Sequence, residues 1–279
     1  MLTRPVRLAR SPDDQPTHEE TSRMTYRHLT LEYDGALARL TLNRPDQANA
    51  LGLVLADELC AALAEAETHA DCHVLLLQGA GRFFSAGGDV AAMAAAGDQG
   101  GFLKELAGKL HEAVLALAKS RLISIAVVNG PAAGAGLGLA LNSDFVLASP
   151  KARFLSAYAG VGLTPDCGVS YLLPELAGPR RAAEMCLTGR VASAVDALEW
   201  GLINEVVEAE DLAGRAQELG RQLAAGAVGV LGPTKRLLRS RSVAGYEAHL
   251  QTEAETIASM AGSADTRERI AAFAARSNG

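Results

Sequence analysis

The sequence is poor in the residue types that mark several classes of protein. Its four cysteines, Cys60, Cys72, Cys167 and Cys186, are widely scattered and include no C-x-x-C pair. This argues against a zinc site and favours reduced thiols in a cytoplasmic protein. The net charge is −6 without a basic stripe, so we expect no nucleic-acid partner. No apolar run reaches the roughly 18–20 residues that span a membrane, and we expect no membrane partner.

Composition divides the chain into three regions. Residues 1–25 are rich in Arg, Pro, Asp and Glu without apolar periodicity, and we expect a disordered tail there, with Met24 as an alternative start. Its acidic residues argue against a transit peptide. Across residues 26–212 strands alternate with helices, which is typical of layered α/β folds. Residues 213–279 are helical with little core of their own, so we expect them to pack on the core or on neighbouring subunits, as an oligomerisation region.

Local patterns predict the main elements. Asp34-Gly35 lies between two segments in which apolar and polar residues alternate, a hairpin pattern. Runs of apolar residues predict buried strands, and helical spacing or runs of small residues predict helices. The predicted strands cover residues 73–78 and 122–128, and the predicted helices cover 54–68, 102–119 and 132–140.

Two glycine-rich loops share one design. Residues 81–89 and 129–138 each follow a buried strand and open a helix. Helix N-termini present unpaired N–H groups, and two such ends directed at one point would form an oxyanion hole. The second loop reads G-x-G-x-G, with Leu139 where the dinucleotide fingerprint needs its last glycine, which argues against a Rossmann site. The remaining alternative is that these glycines serve only close helix packing.

Five ordered segments resemble motifs of the enoyl-CoA hydratase/isomerase (crotonase) superfamily. The resemblance covers roughly residues 26–276, and its motifs lie at 42–51, 84–89, 126–144, 187–190 and 197–204. It implies an α/β fold, a spiral of ββα units with a helical C-terminal region. It also implies an acyl-CoA thioester substrate and assembly as a homotrimer or a dimer of trimers. Coenzyme A is then part of the substrate, and no separate cofactor or metal is expected.

The resemblance assigns roles to individual residues. The backbone N–H groups of Gly88 and Ala135 would hold the thioester oxygen. Asp89 is also expected to cap the helix that follows it. The residues expected to lie along coenzyme A are Ala48, Ala50, Ala86, Gly87, Gly88, Asp89 and Val90.

The sequence departs from hydratases at both of their catalytic glutamates. Those positions hold Gly138 and Tyr158 here, and without carboxylates on the water we expect poor hydration. Asp166 lies where some isomerases of the superfamily place a catalytic aspartate. The ring-1,2-epoxyphenylacetyl-CoA isomerase type is especially similar over residues 132–136 and 165–168. Asp166 is therefore the predicted acid/base, with Tyr158 shaping the pocket or donating a hydrogen bond. The alternative is that Asp166 only caps the helix that begins near Gly168.

The predicted function is the shift of a double bond, or the opening of an epoxide, in an enoyl- or aryl-CoA thioester. Enoyl-CoA hydration stays open as an alternative. A second alternative is a hydrolase similar to 4-chlorobenzoyl-CoA dehalogenase, which the pattern of His111, Tyr158 and Asp166 resembles. A third alternative is a non-catalytic acyl-CoA-binding member.

Overall fold

The computed structural model describes residues 23–277 and contains two β-sheets. The larger sheet has seven strands in the order β1-β2-β3-β4-β5-β7-β10. The first three strands are antiparallel and the others parallel. These strands are β1 (Arg23–Thr25), β2 (Leu29–Asp34), β3 (Leu37–Leu42), β4 (Val74–Gly79), β5 (Ile123–Val128), β7 (Phe145–Ala148) and β10 (Glu205–Val206). The smaller sheet has the order β6-β8-β9, with β6 (Pro131–Ala133), β8 (Arg153–Leu155) and β9 (Ala192–Ser193).

The helices lie between the strands and over the C-terminal region. Their bounds are α1 (Leu53–Thr68), α2 (Val90–Ala95), α3 (Gln99–Lys119), α4 (Ala135–Asn142), α5 (Val169–Ala177), α6 (Pro179–Thr188), α7 (Ala194–Glu199), α8 (Leu212–Ala224), α9 (Val228–Met260) and α10 (Ala264–Ser277). β5 and β6, and then β7 and β8, each place one strand in the large sheet and the next in the small one. α4 follows the first pair and α5 the second, so the chain spirals in ββα turns.

The N-terminal prediction is partly wrong. Residues 1–22 of the expected disordered tail lie outside the described residues. Arg23–Thr25, however, pair antiparallel with β2, because an edge strand of the sheet offers them hydrogen bonds. The hairpin predicted at Asp34-Gly35 is confirmed, with Leu29 opposite Leu42 and Gly35 at φ +57°.

The helix predicted over residues 132–140 begins at Ala135, three residues after the predicted start. Ala132 and Ala133 belong to β6 and pair with β8. The chain then turns at Gly134, where φ is +52°, and α4 begins at Ala135. Small apolar residues therefore serve two purposes here, because they fit both a buried strand and a closely packed helix.

The large sheet is covered on both faces. Side chains alternate across a strand, and along β4 Leu75 and Leu77 join the main core with α1 and α3. Val74 and Leu76 join a second cluster with Leu212 of α8. The sheet is thus the middle layer, and both its faces lose apolar surface to helices.

The C-terminal helices pack on their own chain. α9 lies along α3 and α10 lies against α2. Lys235 of α9 is buried, and its Nζ lies 2.8 Å from Asp144 Oδ2. Whether this region also mediates oligomerisation stays a prediction. Across residues 23–277, none of the helices combines the length and apolarity that crossing a membrane would require.

Candidate active site

The candidate site is a small pocket at the carboxyl ends of β4 and β5. It encloses about 70 Å³ and is lined mainly by apolar side chains from α2, α3 and residues 157–163, with Asp166 as the carboxylate in its wall. The four predicted catalytic residues lie together in this wall: Gly88, Ala135, Tyr158 and Asp166. These residues are far apart in sequence, so the fold alone brings them together.

The two glycine-rich loops are in direct contact beside the pocket. Ala133 N–H donates to Ser85 O at 2.9 Å, which pairs the loops in parallel. Gly87 has φ +92°, and a Cβ there would lie 2.7 Å from Ala133 O and 3.3 Å from Ala135 N. Only glycine fits this position, because both the backbone angle and the neighbouring loop exclude a side chain.

The N–H groups of Gly88 and Ala135 are both available for an outside acceptor. Leu51 N–H donates to Gly87 O at 2.7 Å, and Asp89 N–H donates to Leu51 O at 3.0 Å. Alternate N–H groups of an extended strand point to opposite sides, so Gly88 N–H faces away from Leu51. Ala135 is the first residue of α4, where an N–H has no acceptor within its helix.

Residues 42–51, the first of the five motifs, hold the loop at residues 81–89 through hydrogen bonds. Ala86 N–H donates to Ala48 O at 2.9 Å, and the buried Asn49 side chain donates to Ala80 O and Phe83 O at 2.9 and 2.8 Å. Ala86, Gly88 and Val90 line the pocket. The other residues predicted to lie along coenzyme A, which are Ala48, Ala50, Gly87 and Asp89, stand outside its wall.

Asp89 caps α2, as predicted. Its Oδ1 accepts the Ala92 N–H at 3.0 Å, and its Oδ2 pairs with Arg44 Nη2 at 2.9 Å. Arg44 Nη1 also donates to Ala50 O at 2.5 Å. The Arg44 guanidinium therefore joins the first motif to the start of α2.

Asp166 and Tyr158 form a buried pair. The Tyr158 hydroxyl donates to Asp166 Oδ1 at 2.5 Å and lies 3.2 Å from Asp166 O. Burial, followed by the negative charge of Asp166, raises the pKa of Tyr158 well above its ordinary value. Tyr158 therefore keeps its proton and holds the Asp166 carboxylate as a hydrogen-bond donor.

The Asp166 side chain does not cap α5. The N-cap of α5 is Gly168, with no side-chain cap, and only the Asp166 carbonyl accepts the Val169 N–H, at 3.1 Å. The capping alternative is therefore wrong for the carboxylate, which faces the pocket.

Gly138 leaves no room for the carboxylate that hydratases carry. A Cβ at Gly138 would lie 2.7 Å from both Cys167 Cβ and Cys167 O. Real Cβ contacts are not that short, so the loop that carries Asp166 fills the space. The loop that carries Asp166 therefore excludes a carboxylate side chain at position 138.

His111 is a buried neutral imidazole behind Asp166. Its Nε2 accepts the Cys167 N–H at 3.0 Å and lies 4.0 Å from Asp166 Oδ2. Burial lowers the pKa of His111, against the opposing effects of Asp166 and a hydrogen bond to the Leu250 backbone. Nε2 is occupied as an acceptor, so the ring proton lies on Nδ1.

His111, Asp166 and Cys167 are close enough to hold a metal ion, with ligand atoms within 4.8 Å of one another. A metal would have to displace the Cys167 N–H from His111, and burial raises the pKa of the Cys167 thiol well above its ordinary value. The arrangement favours internal hydrogen bonds over a metal ion.

Glu253 is the site residue that sequence reasoning missed. It lies on α9 and is buried. Its Oε2 accepts the Gly168 N–H at 2.8 Å, and its Oε1 accepts the Ser170 hydroxyl at 2.5 Å. Burial raises its pKa to about 7. The signal was present, because Glu253 shares the apolar helix face of Leu250 and Ile257, where an acidic residue is unusual.

Comparison with known proteins gives consistent matches. The family described as enoyl-CoA hydratase/isomerase matches residues 32–278. A relative named 1,2-epoxyphenylacetyl-CoA isomerase, from Escherichia coli (strain K12), is 39% identical over 242 residues, or 85% of this chain and 91% of the relative. One named 4-chlorobenzoyl coenzyme A dehalogenase-2, from Arthrobacter sp, is 32% identical over 248 residues, or 88% and 90%.

Solved structures match over the same length. A crystal structure of an enoyl-CoA hydratase from Mycobacterium avium subsp. paratuberculosis K-10 has a TM-score of 0.82 at 30% identity. The match covers 89% of this chain and 96% of that one. It confirms the predicted crotonase-like spiral with a helical C-terminal region.

Proposed function

The chain belongs to the enoyl-CoA hydratase/isomerase family, and we propose that it isomerises an acyl-CoA thioester with Asp166 as the single acid/base. The observation that carries the proposal is the composition of the pocket wall. It combines two available N–H groups, those of Gly88 and Ala135, with the Asp166 carboxylate. An isomerase needs one group that removes a proton and returns it, together with donors for the charge that develops in between.

The proposed oxyanion hole consists of Gly88 N–H and Ala135 N–H. When a C–H bond next to the acyl π-system breaks, its electron pair moves toward the thioester oxygen. Two fixed donors in a pocket with little water stabilise that oxygen more than they stabilise the neutral thioester. Coenzyme A would extend past Ala48, Ala50 and residues 86–90, and the reaction uses no cofactor beyond it.

Asp166 then moves one proton. Its carboxylate takes the proton from one carbon, the double bond shifts as the enolate forms, and the carboxyl group returns the proton to another carbon. Atoms and charge balance without water or a second reactant. Tyr158 donates to Asp166 Oδ1 and so orients the carboxylate for this transfer. An aryl epoxide thioester also deserves testing, because a relative carries the name 1,2-epoxyphenylacetyl-CoA isomerase.

Hydration is less well supported. Addition of water needs a base on the water as well as an acid at carbon. One hydratase position is Gly138, where Cys167 fills the space, and the other is the phenol of Tyr158. We therefore expect the native protein to hydrate crotonyl-CoA far more slowly than a hydratase does.

Dehalogenation is the second candidate, favoured by the proximity of His111 to Asp166 and by a relative named a 4-chlorobenzoyl coenzyme A dehalogenase. In that reaction Asp166 would attack carbon as a nucleophile. Against it, His111 Nε2 accepts the Cys167 N–H, and His111 does not line the pocket.

The substitution Asp166→Asn tests the proposal on a panel of straight-chain enoyl, aryl-epoxide and 4-chlorobenzoyl CoA thioesters. We expect CoA-thioester binding to persist in calorimetry while isomerisation falls at least ~100-fold, a typical acid–base contribution. Unchanged turnover would overturn the assignment. Chloride release by the native protein would favour the second candidate, and rapid crotonyl-CoA hydration would favour a hydratase.

Two further properties belong to this proposal. Exposed apolar side chains on α6 and α7 support a homotrimer or a dimer of trimers. The four free cysteines fit a reducing compartment such as the cytoplasm.

A further inference from the structure

The backbone that follows Asp166 has an unusual conformation. Cys167 has φ +55° and Gly168 has φ +78°, so two consecutive residues are left-handed. A non-glycine residue in this region costs roughly 1 kcal/mol or more and persists only when its surroundings fix it. The position of the Asp166 carboxylate therefore depends on the contacts that hold residues 167–170.

Side chains from two distant helices supply these contacts. His111 of α3 accepts the Cys167 N–H at 3.0 Å. Glu253 of α9 accepts the Gly168 N–H at 2.8 Å and the Ser170 N–H at 3.2 Å. The Glu253 carboxylate lies behind the loop, outside the pocket wall. It holds the loop without facing the acyl group.

We propose that Glu253 is a positioning residue for the isomerisation, because its carboxylate fixes the loop that carries Asp166 and exchanges its proton with solvent through Ser170 and His249. This inference rests on the proposed function of Asp166. It adds a residue that acts only through Asp166. It also predicts that proton transfer by Asp166 depends on the protonation of Glu253, and therefore on pH.

The route to solvent consists of two short contacts. Ser170 Oγ lies 2.5 Å from Glu253 Oε1 and 2.7 Å from His249 Nε2. The His249 side chain is 36% exposed. The hydroxyl can donate to one neighbour while it accepts from the other, so a proton can pass between the buried carboxylate and the surface.

The surroundings of Glu253 determine the direction of the pH effect. Burial, which acts more strongly than the hydrogen bonds to Ser170 and Gly168, raises the pKa of Glu253 to about 7. Above that pH both oxygens accept hydrogen bonds from the loop, and below it one oxygen carries a proton and holds the loop less well. Turnover should therefore rise as pH increases through about 7. The titratable groups that face Glu253 are His111 from α3, Asp166 and Cys167 from the loop, Tyr158, and Tyr246 and His249 from α9.

The central test is Glu253→Gln, with Glu255→Gln as the matched control on an exposed face of the same helix. Gly168 N–H and Ser170 N–H donate to different oxygens of Glu253. Glutamine replaces one of these oxygens with an NH2 donor, so one of the two N–H groups loses its acceptor. We expect kcat to fall about 10-fold, the effect of a lost hydrogen bond to a charged group, with KM changed by less than about 2-fold. We also expect the rise of kcat near pH 7 to disappear. Glu255→Gln should retain that rise.

Ser170→Ala provides a second, milder test. Its hydroxyl lowers the pKa of Glu253, so its removal should move the midpoint of the kcat profile to higher pH. A purely structural role for Ser170 predicts no such movement. An unmoved midpoint, or a Glu253→Gln variant with the native kcat and pH profile, would overturn the inference.

Amide hydrogen exchange separates this inference from the proposed function. Exchange at Gly168 and Ser170 should accelerate in Glu253→Gln and not in Glu255→Gln, whatever reaction the protein performs. Unaccelerated exchange contradicts the positioning role. Native turnover in Asp166→Asn contradicts the proposed function instead.

Discussion

The paired Tyr158 and Asp166 side chains define the site at the scale of single residues. Their contact explains how one carboxylate can be both buried and oriented, because the phenol donates a hydrogen bond to Oδ1. A carboxylate without that donor would lose a charge-assisted hydrogen bond in a low-dielectric pocket. Orientation of Asp166 is thus the expected role of Tyr158.

The variant Tyr158→Phe tests this role. The ring still fills the pocket, but Asp166 loses its donor, and we expect kcat to fall about 10-fold with binding little changed. Steady-state kinetics on the same thioester would measure it. Tyr26→Phe is the control, because Tyr26 also donates to a carboxylate, Glu65, at 2.7 Å, but far from the pocket. Equal effects of both variants on kcat would contradict the role.

The residues of the site differ in how well the sequence predicts them. Gly88, Ala135 and Asp166 could be named in advance, because the glycine loops predicted an oxyanion hole and the resemblance to the superfamily assigned these positions within its motifs. For Glu253 the sequence offers one signal, an acidic residue on the apolar face of α9, but it does not reveal the partners of Glu253, because they lie on a loop far away in sequence. The lowered pKa of His111 could not be predicted either, because it results from burial in the folded protein.

At the scale of elements, α9 connects the site to the large sheet. Asp144, at the start of β7, pairs with Lys235 Nζ at 2.8 Å and with Arg239 Nη2 at 2.9 Å. It also accepts hydrogen bonds from the Ser124 N–H and hydroxyl at 2.9 Å each. Lys235 is therefore a structural cation that joins α9 to the large sheet.

The variant Asp144→Ala should lower the free energy of unfolding by about 3 kcal/mol, because it leaves the buried Lys235 ammonium without its carboxylate. Chemical denaturation would measure the change. The double variant with Lys235→Met should be more stable than Asp144→Ala alone, since it no longer buries an ammonium group that has lost its carboxylate. At the exposed Asp71, the same change should cost less than about 0.5 kcal/mol. Equal losses at both aspartates would show that the pair contributes nothing.

Elements were predicted best where periodicity is strong. The hairpin, α1 and the core of α3 follow from local spacing alone. The start of α4 could not be predicted from local spacing, because alanine and glycine fit a strand as well as a helix. The pairing of β6 with β8 determines which of the two forms. β1 was not predicted, because it lies in a polar segment and a short edge strand needs no apolar pattern of its own.

At the scale of the whole molecule, an apolar surface lies on α6 and α7. Leu187 is 79% exposed and Val195 71% exposed. Arg190 contacts both helices, through Glu184 Oε2 at 2.8 Å and Asp196 Oδ1 at 3.6 Å, so the two side chains belong to adjoining elements. Exposed apolar residues that adjoin one another mark interaction surfaces.

We expect this surface to support a trimer or a dimer of trimers. Light scattering after gel filtration should give a mass of three or six chains, and Leu187→Glu combined with Val195→Glu should shift the protein toward monomers. Lys151→Glu, at an exposed position, should leave the mass unchanged. A native protein that runs as a monomer would contradict the expectation.

The contact between Gly138 and Cys167 has a consequence for the evolution of this chain. A glutamate introduced at position 138 would place its Cβ 2.7 Å from the Cys167 backbone oxygen, and the loop would have to move first. Moving that loop also displaces Asp166. We therefore expect Gly138→Glu alone to lose the proposed isomerisation without gaining hydration. On that expectation a fitness valley lies between the two chemistries, and concerted changes on α4 and the loop would be needed to cross it.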